Sequence, residues 1–314
     1  MGVSIYFWIG FHVFIFIMLA LDLGVFHKKK HKVPVREAVI WSIIWVSLAL
    51  LFSLCLPLFI YTEPGEGKLK ILEFLTGYVI EYSLSVDNIF VFILIFSFFK
   101  VDERYQHKVL FWGILGALVM RASFIFAGVA LMKKFHWIVI IFGAFLVYTG
   151  INMLFHREAP SDPEKNPVIR FFRRFLPVTS TYHEDKLFVM HGLKINATPL
   201  FLVLLIIESS DLIFAVDSIP AILAISKDTF VVYTSNIFAI LGLRSLYFAL
   251  AGIMGYFRHL KIGLSLVLTF VGIKMLLTFF EIDIHIVFSL IIIVSILLAS
   301  ILSSVITKPR DSNN

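Results

Sequence analysis

Cysteine is almost absent from the chain: Cys55 is the one thiol in 314 residues. That excludes an internal disulfide framework and any CxxC metal or redox motif. Charge is also scarce, with 15% Asp, Glu, Lys and Arg against 60% hydrophobic residues and a mean hydropathy of +0.95. An ordinary soluble domain does not tolerate this balance, so the chain reads as an all-α polytopic membrane protein with one membrane domain. A basic segment before the first apolar run is missing too. The cluster HKKKHK at 27–32 follows that run, which makes the run an uncleaved membrane helix and not a signal peptide. The formal charge of +6 does not point to nucleic acid, because the basic residues gather at helix ends, where membrane topology explains them.

A bilayer core takes about 20 apolar residues per helix. On that measure about nine spans are expected, near 4–25, 38–60, 69–98, 109–131, 136–155, 198–225, 231–255, 263–281 and 284–306. With the N-terminus outside, the cytoplasmic connections hold nineteen Lys and Arg residues. The outer ones hold five, namely Lys68, Lys70, Lys133, Lys134 and Lys227. The positive-inside rule therefore sets the N-terminus out and the C-terminus in. The one long connection, 156–197, carries a basic amphipathic stretch, VIRFFRRFLPV at 168–178. It reads as a positive-inside loop with aromatic residues set against membrane lipid.

The chain also repeats itself. EYSLSVDNIF at 81–90 and DLIFAVDSIP at 211–220 share one layout, in which Glu81 corresponds to Asp211 and Asp87 to Asp217. Arg121 in LVMRASFIFAG answers Arg244 in LGLRSLYFALAG, and TGINML at 149–154 answers VGIKML at 271–276. The organisation expected is two N-terminal helices in 1–60, a three-helix unit in 69–155, the loop 156–197, a second unit in 198–281 and a last helix in 284–306. An odd number of helices per unit, joined through one cytoplasmic loop, turns the second unit upside down. Inverted repeats are a transporter architecture with the site near the midplane.

A carboxylate at mid-bilayer costs about 2.5–3.5 kcal/mol, yet Glu81, Asp87, Glu208, Asp211 and Asp217 all fall inside apolar runs. Oxygen donors flank them: Ser83, Ser85 and Asn88 in one motif, Ser209, Ser210 and Ser218 in the other. With no Cys or His in these motifs, the set suits a hard divalent cation. The candidate ligands are Glu81, Asp87, Asn88, Glu208, Asp211 and Asp217, and Asp22, Ser85 and Ser218 are candidate pathway groups. Arg121, Arg244 and Lys274 are the mid-span bases that compensate charge. Five carboxylates against three bases leave two negative charges. A dication neutralises them in one state and two protons in another, which suggests proton exchange. Because residues six apart on an ideal helix are turned by about 120°, and Pro220 removes a helix bond to the carbonyl of Val216, an unwound segment is expected in each acidic motif.

EYSLSVDN, ESSDLIFAVDSIPA and ALDLGVFHKK after the first helix together resemble the TerC family of bacterial membrane proteins, in particular its Alx-like branch, similar in architecture to the LysE transporter superfamily. The resemblance covers roughly 1–305. It implies an inner-membrane Mn2+ exporter, not an enzyme, with Glu81, Asp87, Asp211 and Asp217 as ligands and Mn2+ as cargo. The choice of manganese and the outward direction come from the resemblance. Two other readings stay open. One is an intramembrane lipid-phosphate or pyrophosphate enzyme, against which the surplus of acids counts. The other is a membrane scaffold that assists metal loading of other proteins, for which the sequence names no protein partner.

Overall fold

The computed structural model describes residues 4–26, 34–59, 66–135, 137–155, 177–179, 181–191, 194–251, 259–282 and 284–306. They form helices α1 (Ile5–Phe26), α2 (Val35–Phe59), α3 (Glu66–Phe98), α4 (Glu103–Lys134) and α5 (Ile138–Phe155). A hairpin of β1 (Phe188–His191) and β2 (Lys194–Ala197) follows. The chain then continues as α6 (Pro199–Leu223), α7 (Thr229–Leu241), α8 (Leu243–Ala251), α9 (Leu260–Phe279) and α10 (Ile286–Ile306). Among the described residues eight helices are long and apolar enough to cross a bilayer, with α7 and α8 together as one span, and α1 is a further apolar helix. The outward faces are apolar as well: Phe16 and Ile17 on α1, Leu51 and Leu54 on α2, and Leu298 and Leu302 on α10 are exposed. Such helices need hydrocarbon around them, and they satisfy their own backbone hydrogen bonds within it.

The helices cross-pack in pairs. The first helix of each expected unit lies on the second helix of the other, α3 on α7 and α4 on α6, while α3 meets α6 and α5 meets α9. A two-fold relation between units 69–155 and 198–281 would map each of these contacts onto itself or onto another. The α5–α9 contact is the closest. A methyl carbon placed on Gly272 would lie 2.8 Å from the Gly143 carbonyl oxygen and 2.8 Å from the Val147 amide nitrogen. Small residues let membrane helices approach to backbone distance, where dispersion supplies the attraction. The N-terminal helix docks through aromatic rings: Trp8 and Phe11 meet Phe230 and Tyr233 of α7. His12 joins them, its Nε2 2.9 Å from the Tyr233 hydroxyl.

Three local features depart from the sequence-based expectations. First, neither acidic motif is unwound: α3 runs unbroken through 81–90 and α6 through 211–223. Pro220 falls in the last turn of α6, where losing one bond costs little. The serines reinforce the helix by bonding backward, Ser83 to the Val79 carbonyl at 2.6 Å and Ser210 to the Ile206 carbonyl at 2.8 Å. Second, the break lies in the span expected at 231–255, where α7 stops and α8 begins around Gly242, whose carbonyl accepts from Ser245 Oγ at 2.9 Å. Third, the loop 156–197 contains the antiparallel hairpin, with Phe188 opposite Ala197 and Met190 opposite Ile195. Four-residue strands are too short to announce themselves by alternation. The basic stretch 168–178 lies outside the described residues except for 177 and 178.

Two helix ends carry strained caps. Lys100 (φ 51°) follows α3, with its amide on the Ser97 carbonyl and the Val101 amide on the Phe96 carbonyl. Glu281 (φ 62°) follows α9 with the same pair of bonds, to Thr278 and Leu277. This is the cap in which glycine is preferred, because a side chain in the left-handed region is strained. Lys100→Gly and Glu281→Gly are each expected to stabilise the protein by about 1 kcal/mol, read as a higher thermal midpoint in detergent. Beyond Lys100, Asp102 caps α4; hydrogen bonds from the Arg104 side chain and then its amide hold the Asp102 carboxyl down at about 2.

Candidate functional site

The acidic motifs sit on buried faces of their helices. On α3, Tyr78, Glu81, Ser85 and Asn88 recur at i, i+3, i+7 and i+10, one stripe of a helix, and all four are buried. On α6 the same positions hold Glu208, Asp211, Ala215 and Ser218; the last three are buried and Glu208 is partly so. The two stripes, or seams, share an acid (Glu81, Asp211) and a polar residue seven positions on (Asn88, Ser218), while Ser85 is matched by Ala215. Apolar residues close the seam at both ends on α3, with Phe74 one turn before Tyr78 and Phe92 one turn after Asn88, both buried.

The two seams meet at Arg121 of α4. Its guanidinium pairs with Glu81 of α3 through Nη1 and with Asp211 of α6 through Nη2 at 2.9 Å and Nε at 3.3 Å. Glu81 is 0% exposed and Arg121 1%. From α7, Asn236, also 0% exposed, donates its Nδ2–H to Glu81 Oε2 at 3.0 Å. Charges this deep survive only because they neutralise and hydrogen-bond one another, and removing one partner strands the rest.

The other candidate residues are distributed around this centre. Asp217 turns to α5, where Thr149 Oγ1 donates to it at 3.3 Å. Glu208 lies against Gly116 of α4, so closely that a methyl carbon there would meet its carboxylate. Arg244 on α8 and Lys274 on α9 are buried within the second unit. Asn88, Ser85 and Ser218 are buried on their seams. Asp87 lies on α3 and Asp22 on α1, but the side chains of both are outside those described. Among the described residues no three His, Cys, Asp or Glu side chains come together as a metal site would require. The geometric reason is the unbroken helix: Asp211 and Asp217, six apart, face about 120° away from each other. The described arrangement is therefore a carboxylate pair closed by an arginine, not one ring of five carboxylates.

Asn236 and Thr149 escaped the sequence reading. Asn236 belongs to a polar triplet, Thr234–Ser235–Asn236, inside an otherwise apolar run, and that triplet was the available signal. Thr149 opens the very TGINML segment that reveals the repeat.

At the end of α3 that carries Lys100, a cleft of about 410 Å3 is lined by Phe96, Lys100, Glu103, Gln106, Tyr247 and Phe248. At the opposite end, polar contacts join α3 to the α6–α7 connection. Lys70 pairs with Glu73 at 2.9 Å and reaches Asp228 at 3.6 Å, while the Ser226 hydroxyl donates to Glu73 at 2.5 Å.

These features define an integral membrane protein of many helices with a buried acidic centre, bridged by one arginine, where α3, α4, α6 and α7 meet. The chain belongs to the TerC family of integral membrane proteins, whose model matches residues 66–312. It is 50% identical over 300 residues to an uncharacterized membrane protein of Myxococcus xanthus, covering 95% of this chain and 92% of that one. It is 46% identical over 276 residues to an Escherichia coli K12 protein, Alx, named there as a proposed membrane-bound redox modulator, covering 87% and 86%. A membrane protein of Rickettsia bellii is 41% identical over 301 residues, covering 96% and 97%. No solved structure matches.

Proposed function

We propose that this protein exports a hard divalent cation, Mn2+ foremost, across the bacterial inner membrane in exchange for protons. The observation that carries this reading is the buried Glu81–Arg121–Asp211 bridge, in which acids from the two units share one base. An arginine side chain cannot give up its proton, so Arg121 stands in for a cation between the two carboxylates. A dication arriving there must displace the guanidinium from at least one of them, and its return expels the ion. Glu208 and Asp217, one on each side of the pair along α6, extend the acidic path, and with Asp87, Arg244 and Lys274 counted the set keeps the two negative charges that a dication would cancel.

The cleft at the Lys100 end and the ion-paired closure at the Lys70 end fit a carrier open to the cytoplasm and shut outside, given the orientation read from the basic residues. Redox work as named for the Escherichia coli relative finds only one thiol here, Cys55, and one thiol cannot form an internal dithiol couple. A lipid-phosphate enzyme needs surplus positive charge for its substrate, whereas the seams carry surplus acid.

The test is Mn2+ uptake by inside-out-oriented proteoliposomes under an imposed pH gradient, with Mg2+ and Ca2+ as comparators. Asp217→Asn and Asp87→Asn are expected to lower the initial rate about tenfold or more while the proteins insert normally. Unchanged uptake in both variants would remove the proposal.

A further inference from the structure

Two oxygens beside Glu81 have no partner. Ser85 Oγ and Asn236 Oδ1 are buried without a hydrogen bond, in residues 1% and 0% exposed. Leaving buried polar atoms unpaired is costly, and a native protein that keeps them usually has a use for them. Both belong to the Glu81 environment. Ser85 stands one turn along the same face of α3, about 6 Å of axial rise away. Asn236 spends its amide hydrogen on Glu81 itself, which leaves its carbonyl oxygen unengaged at the same carboxylate.

We infer that Ser85 Oγ and Asn236 Oδ1 are neutral ligands of the transported dication, completing a cation subsite on Glu81 at the α3–α7 contact. The inference rests on the transport reading above and adds the half of the ligand set that carries no charge. A hard cation accepts hydroxyl and amide oxygens alongside carboxylate. Neutral donors also serve a carrier, because affinity rises with the number of charged ligands, and an ion held by carboxylates alone would leave slowly. Glu81 and Asp211 with Arg121 between them carry a net single negative charge, so a dication is held there without being trapped. On α6 Ala215 occupies the position equivalent to Ser85, so that hydroxyl is not duplicated there, although Ser218 Oγ farther along α6 is also buried without a partner.

The experiment is Mn2+ binding to the purified full-length protein, followed by the electron paramagnetic resonance signal of free Mn2+, paired with proteoliposome uptake. Ser85→Ala and Asn236→Leu are each expected to weaken binding about tenfold. Asn236→Asp keeps an oxygen at the site and adds a charge; it is expected to bind Mn2+ more tightly than wild type and turn over more slowly. That split between affinity and rate is not what a merely structural asparagine produces. Wild-type binding in Ser85→Ala and Asn236→Leu overturns the inference, as does Asn236→Asp binding as weakly as Asn236→Leu, which would mean that Asn236 only positions Glu81. A wild-type protein that binds no dication overturns this inference and the transport reading together, whereas normal wild-type binding with unaffected variants overturns this inference alone.

Discussion

Arg121→Met should be the most damaging single substitution in the protein. It leaves Glu81 and Asp211 buried with no cation between them, and breaking one side of a buried pair costs about 3–5 kcal/mol. At about 2–4 °C of midpoint per kcal/mol for a chain of this size, the thermal midpoint should fall by roughly 6–20 °C, and much of the product should aggregate on extraction. The informative companion is the triple variant Glu81→Met, Arg121→Met, Asp211→Leu. Replacing a buried ionic group by well-packed hydrophobic residues of similar volume is often close to neutral for stability, so this variant should regain most of the lost midpoint and remain inactive in uptake. Stability lost in the triple variant to the same degree would mean that packing, not charge, is what Arg121 provides. Intact stability in Arg121→Met alone would mean that the bridge is not held as the structure shows.

The second large effect is expected at the α5–α9 contact. Gly272→Leu would put its first side-chain carbon against the Gly143 carbonyl and the Val147 amide, each 2.8 Å away. Neither is the mobile end of a side chain, so the helices themselves must separate. Overpacking costs about 1–3 kcal/mol, and a leucine at backbone contact belongs at the upper end of that range. Uptake should fall as well, because Thr149, which holds Asp217, is next to Gly150 in the same contact; a carbon on Gly150 would sit 2.7 Å from the Ser265 carbonyl. Gly10→Ala is the control: a Cβ atom there has nothing within 4 Å, and its midpoint should not fall. Equal loss in both variants would point to a general intolerance of glycine replacement instead of a close helix crossing.

The members of the Glu81–Arg121–Asp211 bridge are individually visible in the sequence. The paired motifs EYSLSVDN and DLIFAVDS disclosed which helices would correspond, and the mid-span position of Arg121 marked it as a partner for acids. What misled was the inference from Pro220 and the serines to unwound backbone. A proline in a final turn breaks only one bond, and serine hydroxyls can bond the carbonyl of the preceding turn, so local composition does not decide between breaking a helix and lining one. The hairpin 188–197 and the break at Gly242 depend on contacts from elsewhere in the chain: Thr198 Oγ1 bonding the Lys186 carbonyl, and Trp45 and Tyr82 lying 3.5 Å from the space over Gly242.

By itself the sequence determined the solvent this protein lives in, the number and approximate extent of its helices, and the repeat of acids within them, since hydropathy and periodicity are properties of a segment alone. Which acids share a base was decided only by tertiary structure. Glu81 and Asp211 are 130 residues apart, and nothing local tells a carboxylate whether it will find Arg121, Thr149 or Gly116 across the helix interface. That choice is made by the crossing of α3, α4, α6 and α7, because a charge buried in a low-dielectric interior must take its partner from whatever packing brings within hydrogen-bond reach.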